Sequence, residues 1–408
     1  MRPATKRLGL PAAAAVLALA TFGGAATAAT AHGVSAHAAK PTYTIAYEGP
    51  LSGGNAQLGL NMEYSVKLAI DQANAGKTFG ALPFKLRFQA ADDQGSSTQS
   101  PTTAQSLIDN KSVVAVVGPA FSGATKAAEP LYHAAHLATV SPSATAPALA
   151  TQHWNNFFRV VADDNAQGPA DAEFAAKVLK AKSVYTVDDA SAYAVGLVGA
   201  FDTKAKQLHM KVIHQEAPGT TQCQAGTGNV QQYGALSTQI VSSKAPVVFY
   251  AGYYCDLALF AKGLYAAGFH GKIMSDDGSL DPHYVSQAGA SVADGSYLSC
   301  PCTNLGNTPQ DKAFATGFKK MAGFPIGTYS AESYDATNTI IATMKKIGAK
   351  VTRPALVAGL HKIIYNGLTK TVHFQKDGNI AGSTEYIYEV KGGKIVELGM
   401  ASQLIAKA

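Results

Sequence analysis

The residues best equipped for chemistry sit in short clusters, each directly after an apolar run. The run 113–117 leads into Gly118-Pro119-Ala120-Phe121-Ser122-Gly123-Ala124-Thr125, and a second loop offers Ser141-Pro142-Ser143-Ala144-Thr145-Ala146-Pro147. Glycine and serine at such turns let the backbone N–H groups of a helix N-terminus face a bound anion. Further along, Tyr193 follows the run 183–187, Ala251-Gly252-Tyr253-Tyr254-Cys255-Asp256 follows 247–250, and Asp276-Asp277-Gly278 follows 272–274. Taken singly, each has an ordinary explanation: a serine N-cap, a packing aromatic, an acid pair that caps a helix or faces solvent. Together they form a complementary set, with hydroxyl and amide donors from the first half and aromatics and a carboxylate from the second. That set suits a zwitterion taken out of water, whose two charged ends would each cost several kcal/mol if buried unpaired.

The elements that must position these clusters read as one grammar used twice. Residues 44–47 and 84–89 are short β-rich runs separated by Met62, Val66, Ala69, Ile70 and Ala73 at helical spacing. Such alternation signals parallel βαβ units. The run 113–117 is apolar at successive positions, as a strand covered by helices on both faces must be, and it ends at Gly118-Pro119. Residues 126–136 then read as helix. From 181 the pattern returns, with strands at 183–187, 212–215 and 247–250 and helices at 196–208 and 231–243. The expected fold class is α/β, with two doubly wound parallel-sheet lobes meeting at a candidate hinge over 157–164. In open sheets of this kind ligands bind beyond the carboxyl ends of the strands, which is where the clusters fall.

Bulk features narrow the function. Residues 1–39 read as a signal peptide and flexible N-terminus: Arg2, Lys6 and Arg7 precede an Ala/Leu/Val run over 8–20, and small residues at 26 and 28 or at 36 and 38 offer two cleavage points. The apolar run is shorter than the roughly 20 residues that span a bilayer. No cysteine stands near the cleavage region to carry a lipid, so the expectation is a soluble, exported protein, periplasmic or associated with the cell envelope. Roughly 370 remaining residues exceed what a single core organises. Setting aside Arg2, Lys6 and Arg7 leaves 30 basic against 27 acidic residues, a formal charge of +3 with no basic run, so nothing asks for nucleic acid.

Cys223, Cys255, Cys300 and Cys302 crowd one third of the chain, and an exported protein meets a compartment where disulfides persist. Three pairings are open, and Cys223 with Cys255 plus a tight Cys300 with Cys302 link is the expected one. Without a C-x-x-C pair or a histidine at ligand spacing, no metal site is expected. No G-x-S-x-G or H-E-x-x-H motif occurs, and Gly226-Thr227-Gly228 is not followed by glycine at phosphate-binding spacing. His133 and His136 fall on a helical stretch as surface or packing residues. Neither a catalytic residue nor a cofactor is expected, and no repeat suggests an adhesion module.

Gly49-Pro50-Leu51-Ser52-Gly53, Val117-Gly118-Pro119, Ser141-Pro142-Ser143-Ala144-Thr145, Phe158-Arg159 with Gln167-Gly168-Pro169, and Tyr250-Ala251-Gly252-Tyr253-Tyr254 share an order and spacing. Through them the chain resembles, over residues 43–400, the leucine/isoleucine/valine-binding type of periplasmic binding proteins, the type I fold of ABC importers. The resemblance implies that Ser122, Ala144 and Thr145 hold a ligand carboxylate, with Ser122 or Thr145 also reaching the ammonium. It implies that Tyr253 and Asp277 are the second lobe's share, Asp277 facing the ammonium where the family commonly has Glu. Tyr193 is then the lid aromatic, and Leu58 stands where relatives often carry an aromatic that lines the side-chain pocket. Asp277 is one methylene shorter than the usual acid, so it must sit closer or bind through water.

The resemblance further implies discontinuous lobes, 40–161 with 303–371 and 162–302 with 372–408, joined by a three-segment hinge that closes on the ligand. The implied function is extracytoplasmic binding of a small amino acid, branched-chain first, by a monomer that delivers it to the membrane permease subunits of an ABC importer. A binding protein or sensor for an amide or an aromatic acid on the same fold is the alternative.

Overall fold

A computed structural model describes residues 39–219, 233–303, 305, 308–382 and 384–408. The first stretch of alternating elements is β1 (Thr42–Gly49), α1 (Ala56–Asn74), β2 (Lys85–Asp92), α2 (Ser100–Asp109), β3 (Val113–Val117), α3 (Ser122–Ala134), β4 (Ala138–Ser141) and β5 (Phe157–Arg159). After α4 (Asp164–Glu173) come β6 (Ser183–Asp188), α5 (Ala192–Gln207), β7 (Lys211–Glu216), α6 (Gly234–Ser243), β8 (Val247–Ala251), α7 (Tyr254–Ala266), β9 (Lys272–Ser275), α8 (Pro282–Ala288), α9 (Ala290–Ala293) and β10 (Tyr297–Cys300). The chain closes with α10 (Pro309–Ala322), α11 (Ser330–Ile347), α12 (Arg353–Leu360), β11 (Tyr365–Asn366), β12 (Thr371–Val372), β13 (Tyr386–Lys391), β14 (Lys394–Met400) and α13 (Ala401–Ala406).

Two main sheets result, within one compact unit over Lys40–Ala408. The first has the order β2-β1-β3-β4-β5 and is parallel throughout. The second has the order β14-β13-β10-β9-β8-β6-β7. It is parallel from β7 to β10, and a β13–β14 hairpin adds antiparallel to β10. Without the hairpin both sheets share one strand order, second, first, third, fourth, fifth. Each therefore reverses its winding between the first and third strands, and a crevice opens at that switch point.

Burial explains the strands. β3 (VVAVV) and β8 (VVFYA) are buried at every position, which only helices on both faces allow. On the first sheet α1, α11 and α12 cover one face, and α2 and α3 the other. α11 comes from far along the chain, so the first sheet's layer is completed by residues that follow the second sheet's parallel strands.

The elements depart from the expected ones at two points. α3 begins at Ser122, four residues before the helix read from the pattern at 126, and the β13–β14 hairpin was not anticipated. Cys300 and Cys302 are bonded to each other. Cys255 is disulfide-bonded, while Cys223 and the signal segment 1–38 lie outside the described residues. Among the described residues no helix is long and apolar enough to cross a membrane.

Candidate functional site

The strand-end clusters converge. Leu58 and Met62 on α1, Phe121 and Ser122 after β3, and Ser143 after β4 line one side of a cavity. Tyr193 on α5, Tyr253 after β8, Asp277 after β9 and Tyr329 before α11 line the other. The space within it open to the centre of a water molecule is about 10 Å³, and the wider hollow, open solvent included, is about 280 Å³. It sits where the loops following the first and third parallel strands of both sheets meet, so the two switch points share one cavity.

The first side is a rigid loop system. Ser141 Oγ donates to the Pro119 carbonyl at 2.8 Å and accepts from Ala144 N at 3.0 Å, and Ser143 Oγ donates to the Ala120 carbonyl at 2.7 Å. Ser122 Oγ accepts from Ala146 N at 3.1 Å, which leaves its own proton for another acceptor. Ser122 is also the first residue of α3, and the N–H groups of a first helical turn have no partner within the helix. Arg159, fully buried on β5, ties the loop from below: Nη1 donates to the carbonyls of Ala144 and Ala146 at 3.1 and 3.0 Å, Nε to Asn379 Oδ1 at 2.7 Å, and Nη2 to Asp163 Oδ2 at 3.1 Å. Burial lowers its guanidinium, and Asp163 and Asp164 oppose that.

The second side is acidic. Asp276 accepts from Gly252 N at 2.9 Å and from Ser279 N at 3.2 Å, and so caps the short 3-10 turn Asp277–Ser279. That turn aims Asp277 at the cavity, where Oδ1 accepts from the Tyr193 hydroxyl and Oδ2 from the Tyr329 hydroxyl, each at 2.6 Å. Burial raises Asp277 above the ordinary carboxylate range while the two tyrosine hydroxyls pull it back. Asp276 is raised well above that range, by burial first and then by the charge of Asp277. Asp164, Asp171 and Glu385 are buried nearby and are likewise raised by desolvation, with Asp277 among the charges that add to it. A cation brought to this side would meet a group of buried carboxyls whose proton affinity is raised by burial and by one another.

Of the residues singled out in the sequence, Ser122, Leu58, Tyr193, Tyr253 and Asp277 line the cavity, whereas Ala144 and Thr145 are buried without lining it. The backbone groups of Ala144 are both engaged, the N–H with Ser141 and the carbonyl with Arg159. Tyr193 is a buried wall residue bonded to Asp277. Residues not picked out were Met62, Ala120, Phe121, Ser143, Gly278 and Tyr329. Ala120, Phe121, Ser143 and Gly278 lay inside or beside stretches already noted. Tyr329 carried no local signal; it takes a left-handed backbone with φ 65° just before α11 and reaches Asp277 only through the fold.

Two α/β sheets of one strand order, closing their switch points on a shared cavity, define a binding protein of the type I periplasmic fold. The chain belongs to the periplasmic binding protein family, whose model matches residues 42–394. A Leu/Ile/Val-binding protein of Rhizobium johnstonii is 27% identical over 86% of this chain and 93% of its own length. A branched-chain amino acid transporter substrate-binding protein of Streptococcus pneumoniae, solved with isoleucine, superposes with a TM-score of 0.77 at 24% identity, covering 88% of this chain and 99% of that one. A solute-binding protein of an ABC transporter from R. palustris, solved with benzoate, superposes at 0.75 with 21% identity, over 88% and 96%.

Proposed function

We propose that this chain is the extracytoplasmic solute-binding component of an ABC importer and takes a small amino acid, branched-chain foremost, into the cavity between its two sheets. The observation that carries the reading is the opposition of Ser122, at the start of α3, to Asp277 across a cavity otherwise lined by Leu58, Met62 and aromatic rings. A carboxylate finds the Ser122 hydroxyl and the first N–H groups of α3 on one side. An ammonium finds Asp277 on the other, and the apolar lining suits an aliphatic side chain. Ser143, rather than Ala144, is then the loop residue nearest the carboxylate, and Thr145 supports the loop from behind. The relatives named for leucine, isoleucine and valine, and the neighbour solved with isoleucine, support this ligand class.

In this reading residues 40–161 with 303–371 and residues 162–302 with 372–408 are two lobes that close on the ligand, residues 1–39 direct export, and the closed monomer docks on permease subunits in the membrane. The ligand leaves unchanged, since the role is binding and not turnover. The neighbour solved with benzoate favours a second reading, an aromatic acid held by its carboxylate alone. Calorimetric titration with L-leucine and with 4-methylpentanoate, which is leucine without its amine, separates the two. Leucine binds the native protein far more tightly, and Asp277→Asn weakens leucine by roughly 30-fold or more while changing 4-methylpentanoate little, because removing one member of a buried charge pair costs at least about 2 kcal/mol. Equal losses for both ligands would remove Asp277 from the ammonium, and no binding by any amino acid would overturn the reading itself.

A further inference from the structure

We propose that Phe121 sets the size of the side chain the site accepts and confines it to aliphatic amino acids; this rests on the amino-acid reading above. Phe121 follows β3 of the first sheet and Tyr253 follows β8 of the second. Their rings stack across the cleft with centroids 4.3 Å apart and planes 22° from parallel. Tyr253 in turn meets Tyr193 at 5.7 Å, so a row of three rings runs from one sheet's loops to the other's.

The row is wedged at both ends. Behind Phe121 lies Gly95, at φ +68°, where a Cβ atom would run into ring atoms Cδ2 and Cε2. The turn carrying Gly95 is itself pinned, its N–H donating to Asp93 Oδ1 at 2.7 Å, and Asp93 is fully buried. At the other end a Cβ on Gly278 would first meet the Gly252 carbonyl oxygen, and would also stand 3.1 Å from Tyr193 Cε1 and 3.2 Å from Tyr253 Cδ1. The Phe121 ring is therefore backed by Gly95 and faced by Tyr253, and position 95 is glycine where the ring demands it.

Ser122, the next residue, and Asp277 would fix the head group of an amino acid, so its side chain must lie among Leu58, Met62 and the Phe121 ring. A wall backed this closely rejects a larger group more firmly than one that repacks freely, and each surplus methylene in a fitted apolar pocket lowers affinity roughly 10- to 200-fold. Truncating the ring leaves an apolar hole of ring shape, the kind of space that takes up aromatic molecules.

The test is the ratio of L-leucine to L-phenylalanine affinity, by calorimetry, in the native protein and in Phe121→Ala. Native protein prefers leucine by roughly 30-fold or more. In F121A the ratio falls at least tenfold, through tighter phenylalanine binding. An unchanged ratio, or native protein that takes phenylalanine as tightly as leucine, overturns the role of Phe121 and leaves the amino-acid reading standing. Native protein that binds neither compound, nor any other amino acid, overturns that reading instead. Should F121A lack a cooperative thermal transition, Phe121→Leu removes the flat face with less loss of packing, and the ratio moves the same way by a smaller factor; a ratio that does not move in F121L overturns the proposal equally.

Discussion

Asp277 is held by two tyrosines of different origin, Tyr193 from the start of α5 and Tyr329 from the approach to α11. Each hydroxyl stabilises the ionised carboxylate against a burial that raises its pKa. An incoming ammonium needs that ionised form, so binding of an amino acid expels a proton from whatever fraction of Asp277 is protonated. The sign follows: affinity rises with pH through the raised pKa of the free protein and falls below it. Tyr329→Phe removes the donor to Oδ2 and raises that pKa further. The profile of leucine affinity against pH moves to higher pH, and affinity drops on its acidic limb, because the hydroxyl that favoured the ionised carboxylate is gone. Titrations between pH 5 and 8 in buffers of different ionisation heat measure both effects. A Y329F profile that overlays the native one would show that the 2.6 Å contact does not tune the site.

At the scale of elements, the loop between β4 and β5 is where the first sheet presents the site, and Arg159 is what holds it. Lysine there keeps the charge but not the planar fork, so some of the carbonyls of Ala144 and Ala146 and the Asn379 oxygen are left without their donor. Arg159→Lys costs about 2 kcal/mol or more of stability, read as a lower thermal midpoint. It also weakens leucine binding, because Ala146 N is the donor that orients Ser122 Oγ. An R159K protein with native midpoint and affinity would mean that the serine bonds alone hold the loop. How much of this was legible in the chain differs from element to element. β3 is unmistakable, since five consecutive apolar residues bounded by Gly118-Pro119 suit only a strand covered on both faces. The start of α3 was harder to place, because Ser122-Gly123 reads equally as turn or as first helical turn, and those residues supply the site's N–H groups. The β13–β14 hairpin did carry a signal, alternating residues around Gly392-Gly393. The acid pair Asp276-Asp277 announced a site without saying which member faces it; the 3-10 turn decides that by spending Asp276 on backbone N–H groups. Tyr329 and the engaged backbone of Ala144 depend on contacts between distant segments, which no local pattern encodes.

For the whole molecule, burying so many carboxyl groups has a consequence for stability. Glu48 is fully buried, accepts from the Ser100 hydroxyl at 2.7 Å and from the Tyr132 hydroxyl, and is raised to about 8, mainly by desolvation. Desolvation likewise raises Asp93 to about 7, Glu332 to about 7 and Asp189 to about 6. Each of these groups binds its proton more tightly folded than unfolded. The stability they contribute is fully present below the ordinary carboxylate range near pH 4 and is lost as pH rises through the folded values, from about 6 to about 8. Glu173, lowered by Lys177 and Lys204, acts in the opposite sense, but its contribution is lost only as pH falls below that ordinary range. Between pH 5 and 8 the buried acids therefore dominate, and the ligand-free protein melts at a lower temperature at pH 8 than at pH 5. Saturating leucine narrows the gap, because an ammonium beside Asp277 favours the ionised form. Glu48→Gln removes the largest of these four carboxyl shifts, on the order of 5 kcal/mol between fully protonated and fully ionised protein, while its amide keeps a partner for Ser100 and can donate to the Tyr132 oxygen. The variant should melt near the native temperature at pH 5 and clearly above it at pH 8, with a shallower slope between. A native slope in E48Q would mean that Glu48 is already ionised in the folded protein across this range, and that its two hydroxyl donors outweigh its burial.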